Sequence, residues 1–241
     1  MLSRVFAVCA AMFAVSLSSA ANAQNCERFL WQCQGYSGGS GGPSVSNPGM
    51  DSGFGQVNTA VYGALGGEPF PVSAVSLTDI DPTFLRQTVS YNTSEAPGTI
   101  VVDTRSHFLY FVQANGRAVR YGVGVGREGF GWSGVATIHD KREWPDWYPP
   151  KEMIERQPEI KKQMSELQSG IGMHGGPRNP LGARAMYLWQ DNKDTLFRIH
   201  GTVEPWTVGK SVSSGCIRMI NQDAIDLFQR VAVGTKVVVL H

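Results

Sequence analysis

From Pro97 onward the chain becomes a series of closely spaced β-branched and aromatic runs, and this pattern limits the fold more than any other feature. Thr99 to Asp103, Phe108 to Val112 and Ala118 to Val125 are three such runs, and Val135 to His139 continues them after a turn through Gly129 and Gly134. Branched side chains are stiff about χ1 and pack well on a pleated surface, so each run predicts a strand. Thr104-Arg105-Ser106 supplies a turn between the first two runs. Asn115-Gly116 predicts a two-residue hairpin loop before the third, because both residues tolerate positive φ. The domain therefore opens as a β-meander.

Further on, a helix is expected from Lys151 to Leu167, broken near Pro158. Two more strands follow at Ala183 to Trp189 and Leu196 to His200. Asn221 reads as the N-cap of a second helix, with Asp223 and Asp226 near its positive end and Ala224, Leu227, Phe228 and Val231 at helical spacing. Gly234 is expected to end that helix before a last strand at Lys236 to Leu240. The fold class is mostly β, with one or two short helices.

The first residues have another character. Arg4, the apolar stretch Val5 to Leu17 and the small-x-small site Ala21-Asn22-Ala23 make residues 1–23 a secretory signal peptide, too short in its apolar part for a stable membrane anchor. Export puts Cys26 and Cys33 in an oxidising compartment as plausible disulfide partners, which leaves Cys216 as an odd thiol. Residues 24–97 read as a Gly/Ser/Pro-rich segment or linker, densest from Gly35 to Gly55. Within it the apolar runs Val57 to Leu65 and Val72 to Leu77 leave a docking role open.

A formal charge of +1 without a basic tract argues against a nucleic-acid partner. No phosphate-cradling glycine loop or close-spaced metal-ligand cluster is evident, so no cofactor is expected. A thiol needs a base to act as a nucleophile near neutral pH, and histidine is the usual one. His200 closes a predicted strand, and Cys216 opens a loop that leads into a helix. Gly215 would allow a tight bend beside the sulfur, with the amides of Ser214, Gly215 and Cys216 converging on an oxyanion. Arg218 has three readings: lowering the thiol pKa, holding a substrate carboxylate, or forming a structural ion pair. Trp144-Pro145-Asp146-Trp147-Tyr148-Pro149-Pro150 reads as a packed corner or as the wall of a cleft. A zinc site built from His174, His200 and Cys216 is a weaker alternative, because it lacks close ligand spacing.

Two segments, Arg198-Ile199-His200-Gly201-Thr202-x-x-Pro205 and Ser213-Ser214-Gly215-Cys216-Ile217-Arg218-Met219, resemble the signatures of the L,D-transpeptidase (YkuD-type) catalytic domain. Gly176-Pro177-x-Asn179-Pro180-Leu181-Gly182-x-Arg184-Ala185-x-Tyr187-Leu188 and the tail from Asn221 to Val237 resemble it too. The resemblance covers residues 98–241 and implies a β-sandwich-like domain. It makes Cys216 the nucleophile and His200 the acid/base, with Gly201 orienting the histidine through its carbonyl. Arg218, Trp147, Tyr148 and Asn179 are the candidate substrate contacts. Ser214 departs from the many members that carry histidine there, though other branches read Ser-Ser-Gly-Cys.

The implied activity is an exported, periplasmic transfer on peptidoglycan stem peptides, with release of D-alanine from a donor tetrapeptide. The acceptor would be the amine of a second stem, a D-amino acid or a protein, an outer-membrane protein among them. An L,D-carboxypeptidase or cross-link-cleaving endopeptidase would use the same thiol. A wall-binding module without catalysis is the alternative from another class.

Overall fold

Burial alternates along Val135–His139 and Lys236–Leu240 and is continuous over Ile100–Val102 and Arg184–Met186, as expected for a sheet with a covered face. The computed structural model describes residues 57–127 and 131–240. The leader (1–23), the Cys26 and Cys33 pair, Gly129 and the Gly-rich stretch 35–55 lie outside the described residues. The strands in chain order are β1 (Gln87–Ser90), β2 (Ile100–Asp103), β3 (Phe108–Gln113), β4 (Arg117–Gly122), β5 (Val125–Gly126) and β6 (Gly134–Glu143). After helix α1 (Lys151–Arg156) come β7 (Ser165–Leu167), β8 (Gly170–Gly172), β9 (Arg184–Gln190), β10 (Lys193–His200), β11 (Ser211–Ser213) and β12 (Ile217–Arg218). Helix α2 (Asn221–Arg230) and β13 (Lys236–Leu240) complete the chain.

Nine strands form one sheet in the order β1-β4-β3-β2-β13-β6-β9-β10-β12. Only β2–β13 and β10–β12 pair in parallel; the other neighbours are antiparallel. The backbone of Gly124, just beyond β4, bonds that of Arg218 on β12 in both directions. This links the chain just past β4, next to the β1 edge, to β12 at the opposite edge of the sheet. The core contains Ile100, Leu109, Tyr121, Ile138, Met186, Leu188, Ile199, Ile217 and Val237, closed by Ala224 and Leu227 of α2. Each fully buried aliphatic chain contributes about 2 kcal/mol relative to exposure.

Several local expectations are corrected. The β3–β4 loop has three residues, Ala114 to Gly116, because Gln113 pairs with Arg117; Asn115 and Gly116 do adopt φ of 61° and 64°. The first helix stops at Arg156, and Pro158 starts a 3-10 segment that runs to Gln163. Beyond it, β7 and β8 form a small hairpin. Helix α2 ends at Arg230, ahead of Gly234, which sits at φ 90° in the turn before β13. Its N-cap is Ile220. Asn221 is instead the first helical residue and spends its side chain on tertiary contacts.

The spacer expectation for residues 24–97 also changes over its described part. Tyr62, Ile80 and Leu85 form a second buried cluster with Val208 and Ile220, while Val72 packs with Trp144, Ala183 and Ile225. Polar contacts fix this strap to the domain. Gln222 Nε2 donates to the Gly63 and Ser73 carbonyls at 3.0 Å each, and Arg184 donates to both Glu68 oxygens at 2.7 and 2.9 Å. The apolar runs around Tyr62 and Val72 are thus docking segments, the second of the two readings the sequence allowed. Beyond the strap, β1 extends the sheet by pairing with β4.

Candidate active site

β10 and β12 lie side by side and parallel, with Ile199 opposite Ile217 and His200 opposite Arg218. Ile199 and Ile217 both enter the main core. Alternation therefore puts Arg198 and His200 on the other face, together with Cys216, one residue ahead of Ile217. The gap of sixteen residues between His200 and Cys216 (216 − 200) closes in space to neighbouring strands. Strands so paired are about 4.8 Å apart.

His200 is 4% exposed. Its Nδ1 lies 2.6 Å from the Gly201 carbonyl oxygen. A carbonyl only accepts, so Nδ1 carries the proton and Nε2 keeps the lone pair. Burial pushes the imidazole pKa down to about 4; the Gly201 bond opposes this, and the Arg218 and Arg198 charges add to it. At neutral pH the ring is therefore an uncharged base.

Cys216 is the free thiol among the described residues and is half-buried. Its Sγ donates to the Leu196 carbonyl at 3.9 Å. Burial raises the thiol pKa, while the backbone amide of Arg198 and the charges of Arg198 and Arg218 work against that rise. Both shifts favour neutral forms, so the resting pair is a thiol and an imidazole. Nucleophilic attack by such a pair would require the thiol proton to pass to the imidazole.

The loop before the sulfur is held by Ser213. Its hydroxyl donates to the Cys216 carbonyl at 2.6 Å and accepts from the Gly215 amide at 3.1 Å. Gly215 sits at φ 121°, a conformation that disfavours any side chain. The Gly215 N–H, expected among the oxyanion donors, is therefore committed inside the loop. The Ser214 and Cys216 amides remain the candidates, and Ser214 itself is exposed.

Behind the histidine, Asn221 joins three segments. Its Oδ1 accepts from Ala183 N at 3.0 Å, and its Nδ2 donates to the Thr202 carbonyl at 3.0 Å. Gly182 and Gly201 pack so closely on this amide that a Cβ at either would meet Asn221 Oδ1 at 2.2 or 2.1 Å. The Gly201 carbonyl that orients His200 is thereby fixed from the start of α2.

The remaining sequence candidates fall in different places. Arg218 forms an ion pair with Glu204 at 2.9 Å and also acts electrostatically on both His200 and Cys216, so two of its three readings coexist. Asn179 is a correction: it is fully buried, and its Nδ2 donates to the carbonyls of Pro145, Met173 and His174. Its Oδ1 accepts from Leu181 N, which leaves it tying loops together with no face for a substrate. Trp147 pairs its backbone with Met173 and borders neither cavity beside the Cys216 loop and Arg198. Tyr148 packs by Gly172 and lies within electrostatic range of Arg142. His174 is 73% exposed in its side chain and faces Asp146 at 3.4 Å. Among the described residues it joins no cluster able to hold a metal, so the zinc alternative is not assembled.

Sequence reasoning missed several residues beside the thiol. Leu196 adopts φ 64° where the β10 register shifts, and its amide donates to Asp194 Oδ1 at 2.8 Å. A non-glycine residue in this region costs roughly 1 kcal/mol, and here the bulge turns a carbonyl toward Sγ. Trp132 and Phe197 stack at 5.7 Å and wall a cavity of about 510 Å³ that reaches Gly215 and Ile217. Nothing in a single sequence singles out a leucine for a left-handed backbone.

Residues 97–239 match the family described as YkuD, the L,D-transpeptidase catalytic domain. The chain belongs to that family. The probable L,D-transpeptidase ErfK/SrfK of Escherichia coli K12 is 33% identical over 148 residues, 58% of this chain and 43% of that protein. A putative L,D-transpeptidase of Fuscovulum blasticum, in the ATP synthase subunits region, is 34% identical over 145 residues, 58% of this chain and 68% of that protein. A crystal structure from Brucella melitensis, described as a probable carnitine operon oxidoreductase, has 55% identity, covers 68% of this chain and 98% of that one, and has a TM-score of 0.45. The chain thus spans less than half the length of the E. coli and Salmonella relatives it matches, 43% in each. Its mostly β fold, with one large mixed sheet and few helices, agrees with YkuD membership. No helix among the described residues is long and apolar enough to cross a membrane.

Proposed function

We propose that this chain is an exported, cysteine-dependent L,D-transpeptidase acting on peptidoglycan stem peptides in the periplasm. One observation carries the reading. His200, with its Nδ1 proton tied to Gly201, leaves an Nε2 lone pair on the same sheet face and the neighbouring strand to Cys216. The third residue of a donor tetrapeptide, a diamino acid, presents its L-centre carbonyl to Sγ. As the C–S bond forms, the thiol proton passes to His200 Nε2, and the Ser214 and Cys216 amides face the oxyanion. The C–N bond to terminal D-alanine then breaks, and its amine leaves with the proton from Nε2. An acceptor amine attacks the thioester, gives its proton to Nε2, and the C–S bond breaks as that proton returns to sulfur. Acceptors of this chemistry are the side-chain amine of a second stem, a D-amino acid, or a lysine of an outer-membrane protein.

A neutral imidazole suits both transfers, because it accepts and returns one proton without first losing its own. The leader at residues 1–23 supports export. Incubating purified protein with tetrapeptide stems tests the reading. Tripeptide-linked dimers with free D-alanine are expected; tripeptide alone would point to the carboxypeptidase, and no product to a binding module.

A further inference from the structure

A separate cavity lies where the strap meets the loop beyond β10. Its volume is about 310 Å³, at the small end of ligand sites, which suits a single ring the size of a sugar. Four segments build most of it: strap residues 71–76, the turn at Gly176 and Pro177, the loop from Thr202 to Trp206, and the start of α2 at Asn221 and Gln222. Cys216, His200 and Arg198 take no part in its walls. Internal contacts hold those walls in place. Gln222 ties down the strap backbone, Leu65 and Val72 bridge within the strap, and Val72 packs against Trp144. A ligand therefore meets a site that is already formed.

Two lining residues carry unused binding capacity. Trp206, on the 3-10 turn Pro205–Thr207, is 48% exposed and has no ring partner among the described residues. Trp132, Trp144 and Trp189, by contrast, each meet another ring. Val203, Pro71, Pro177 and Pro205 extend the apolar surface around Trp206. Gln222 is the second residue, and it is only 3% exposed. Its Nε2 donates to the Gly63 and Ser73 carbonyls, which fixes the orientation of the amide. Its Oε1 is left without a hydrogen-bond partner among the described residues. A buried acceptor in that state costs free energy that a ligand donor recovers. Asp79 adds a carboxylate to the wall, and no Lys, Arg or His lines the cavity. The lining thus suits a ligand with hydrogen-bond donors and one apolar face, and it disfavours an anion.

We propose that this cavity binds a neutral N-acetylhexosamine ring of a peptidoglycan glycan strand. The C–H face of the ring lies on Trp206, its acetamido N–H donates to Gln222 Oε1, and a hydroxyl donates to Asp79. A proline-rich segment is the other ligand that seats on tryptophan and proline surfaces. Such a segment has lost N–H donors and brings carbonyls to a wall that already supplies acceptors. The Trp144 indole N–H, a natural partner for a carbonyl, is spent on Glu68 at 3.0 Å. The site goes beyond the transpeptidase reading and stands whether or not Cys216 reacts. A strand held there leaves the thiol free to meet a stem.

Calorimetric titration of the purified protein tests this with probes that carry no stem peptide, so the outcome is independent of the thiol chemistry. Tetra-N-acetylchitotetraose should bind. Cellotetraose, which lacks the acetamido groups, should bind about tenfold more weakly, as expected when one buried hydrogen bond is left unmade. Peptidoglycan glycan strands freed of their stems should displace the acetylated tetramer. Trp206→Ala should weaken binding by about tenfold or more without lowering the thermal midpoint, and Trp206→Tyr should keep part of the affinity. No binding of the acetylated tetramer, equal binding of the two sugars, or an affinity that survives Trp206→Ala would overturn the site. So would strands that fail to displace the tetramer, or decaproline bound in place of the sugar.

Discussion

Two buried titratable groups, His200 and Asp223, invite comparison, since burial moves both toward their uncharged forms. His200 is pushed down to about 4 and Asp223 up to about 7, the latter in spite of Arg86 nearby. Their surroundings then diverge. Asp223 is fully enclosed where the strap crosses α2: Tyr62 Oη donates to its Oδ2 at 3.1 Å, the Arg86 amide donates to that same hydroxyl at 2.6 Å, and Arg86 Nε lies 3.7 Å from Oδ1. His200 is held on one side only, by Gly201, and its other nitrogen belongs to a sheet face that carries a half-exposed thiol. A perturbed pKa therefore does not by itself mark a reactive site. What separates the two is an accessible partner across the next strand.

The largest effect should come from His200→Gln, which keeps polarity but cannot relay a proton. Acyl transfer should fall about 10³-fold in steady-state assays, within the usual range for a general acid/base, with the thermal midpoint at pH 7 little changed. Retained activity would erase the distinction drawn here between the two groups. Gly201→Ala comes next, because its Cβ would collide with Asn221 Oδ1. Overpacking of this kind costs about 1–3 kcal/mol, and activity should drop with it as the orienting carbonyl shifts. Tyr62→Phe probes the other region. Loss of the buried bond to Asp223 should cost about 1–3 kcal/mol in urea unfolding, while adduct formation at Cys216 stays at the wild-type rate. A slowed reaction would mean that the strap is part of the site.

The smallest effect concerns pH, where the two groups act with opposite sign. His200 binds fewer protons folded than unfolded between about 4 and 6.5, so its contribution is lost as pH falls through that window. Asp223 binds more protons folded than unfolded between 3.8 and about 7, so its contribution is lost as pH rises through that window. Asp223→Asn should remove the second dependence and leave a thermal midpoint that rises from pH 4.5 to 7. An unchanged profile would contradict the neutral, buried carboxyl.

Most of the frame was legible in the sequence because it follows from local chemistry. Branched runs at Ile100 to Asp103 and Phe108 to Val112 became β2 and part of β3, and His200 closes β10 as expected; Cys216, expected to open a loop leading straight into a helix, lies between the short strands β11 and β12. What stayed hidden depends on distant partners. Asn221 looked like a helix cap because Asn caps helices, but its amide is claimed by Ala183 and Thr202. Asn179 looked like a ligand contact because it lies in a turn-rich motif, yet three carbonyls consume its donors. The Gly215 amide was withdrawn from the oxyanion by a serine two residues away. The strap was ambiguous because its short apolar runs have no periodicity and gain meaning only against Val208 and Ile220.

The proposed chemistry rests on Cys216 as the acylated group with His200 as its base. Intact-mass analysis with peptide mapping, after incubation with a carbapenem-type β-lactam, tests this most directly. One covalent adduct, mapped to Cys216, lost in Cys216→Ala and formed far more slowly in His200→Gln, is the expected result. An adduct on another residue, or one that persists in Cys216→Ala, would contradict it.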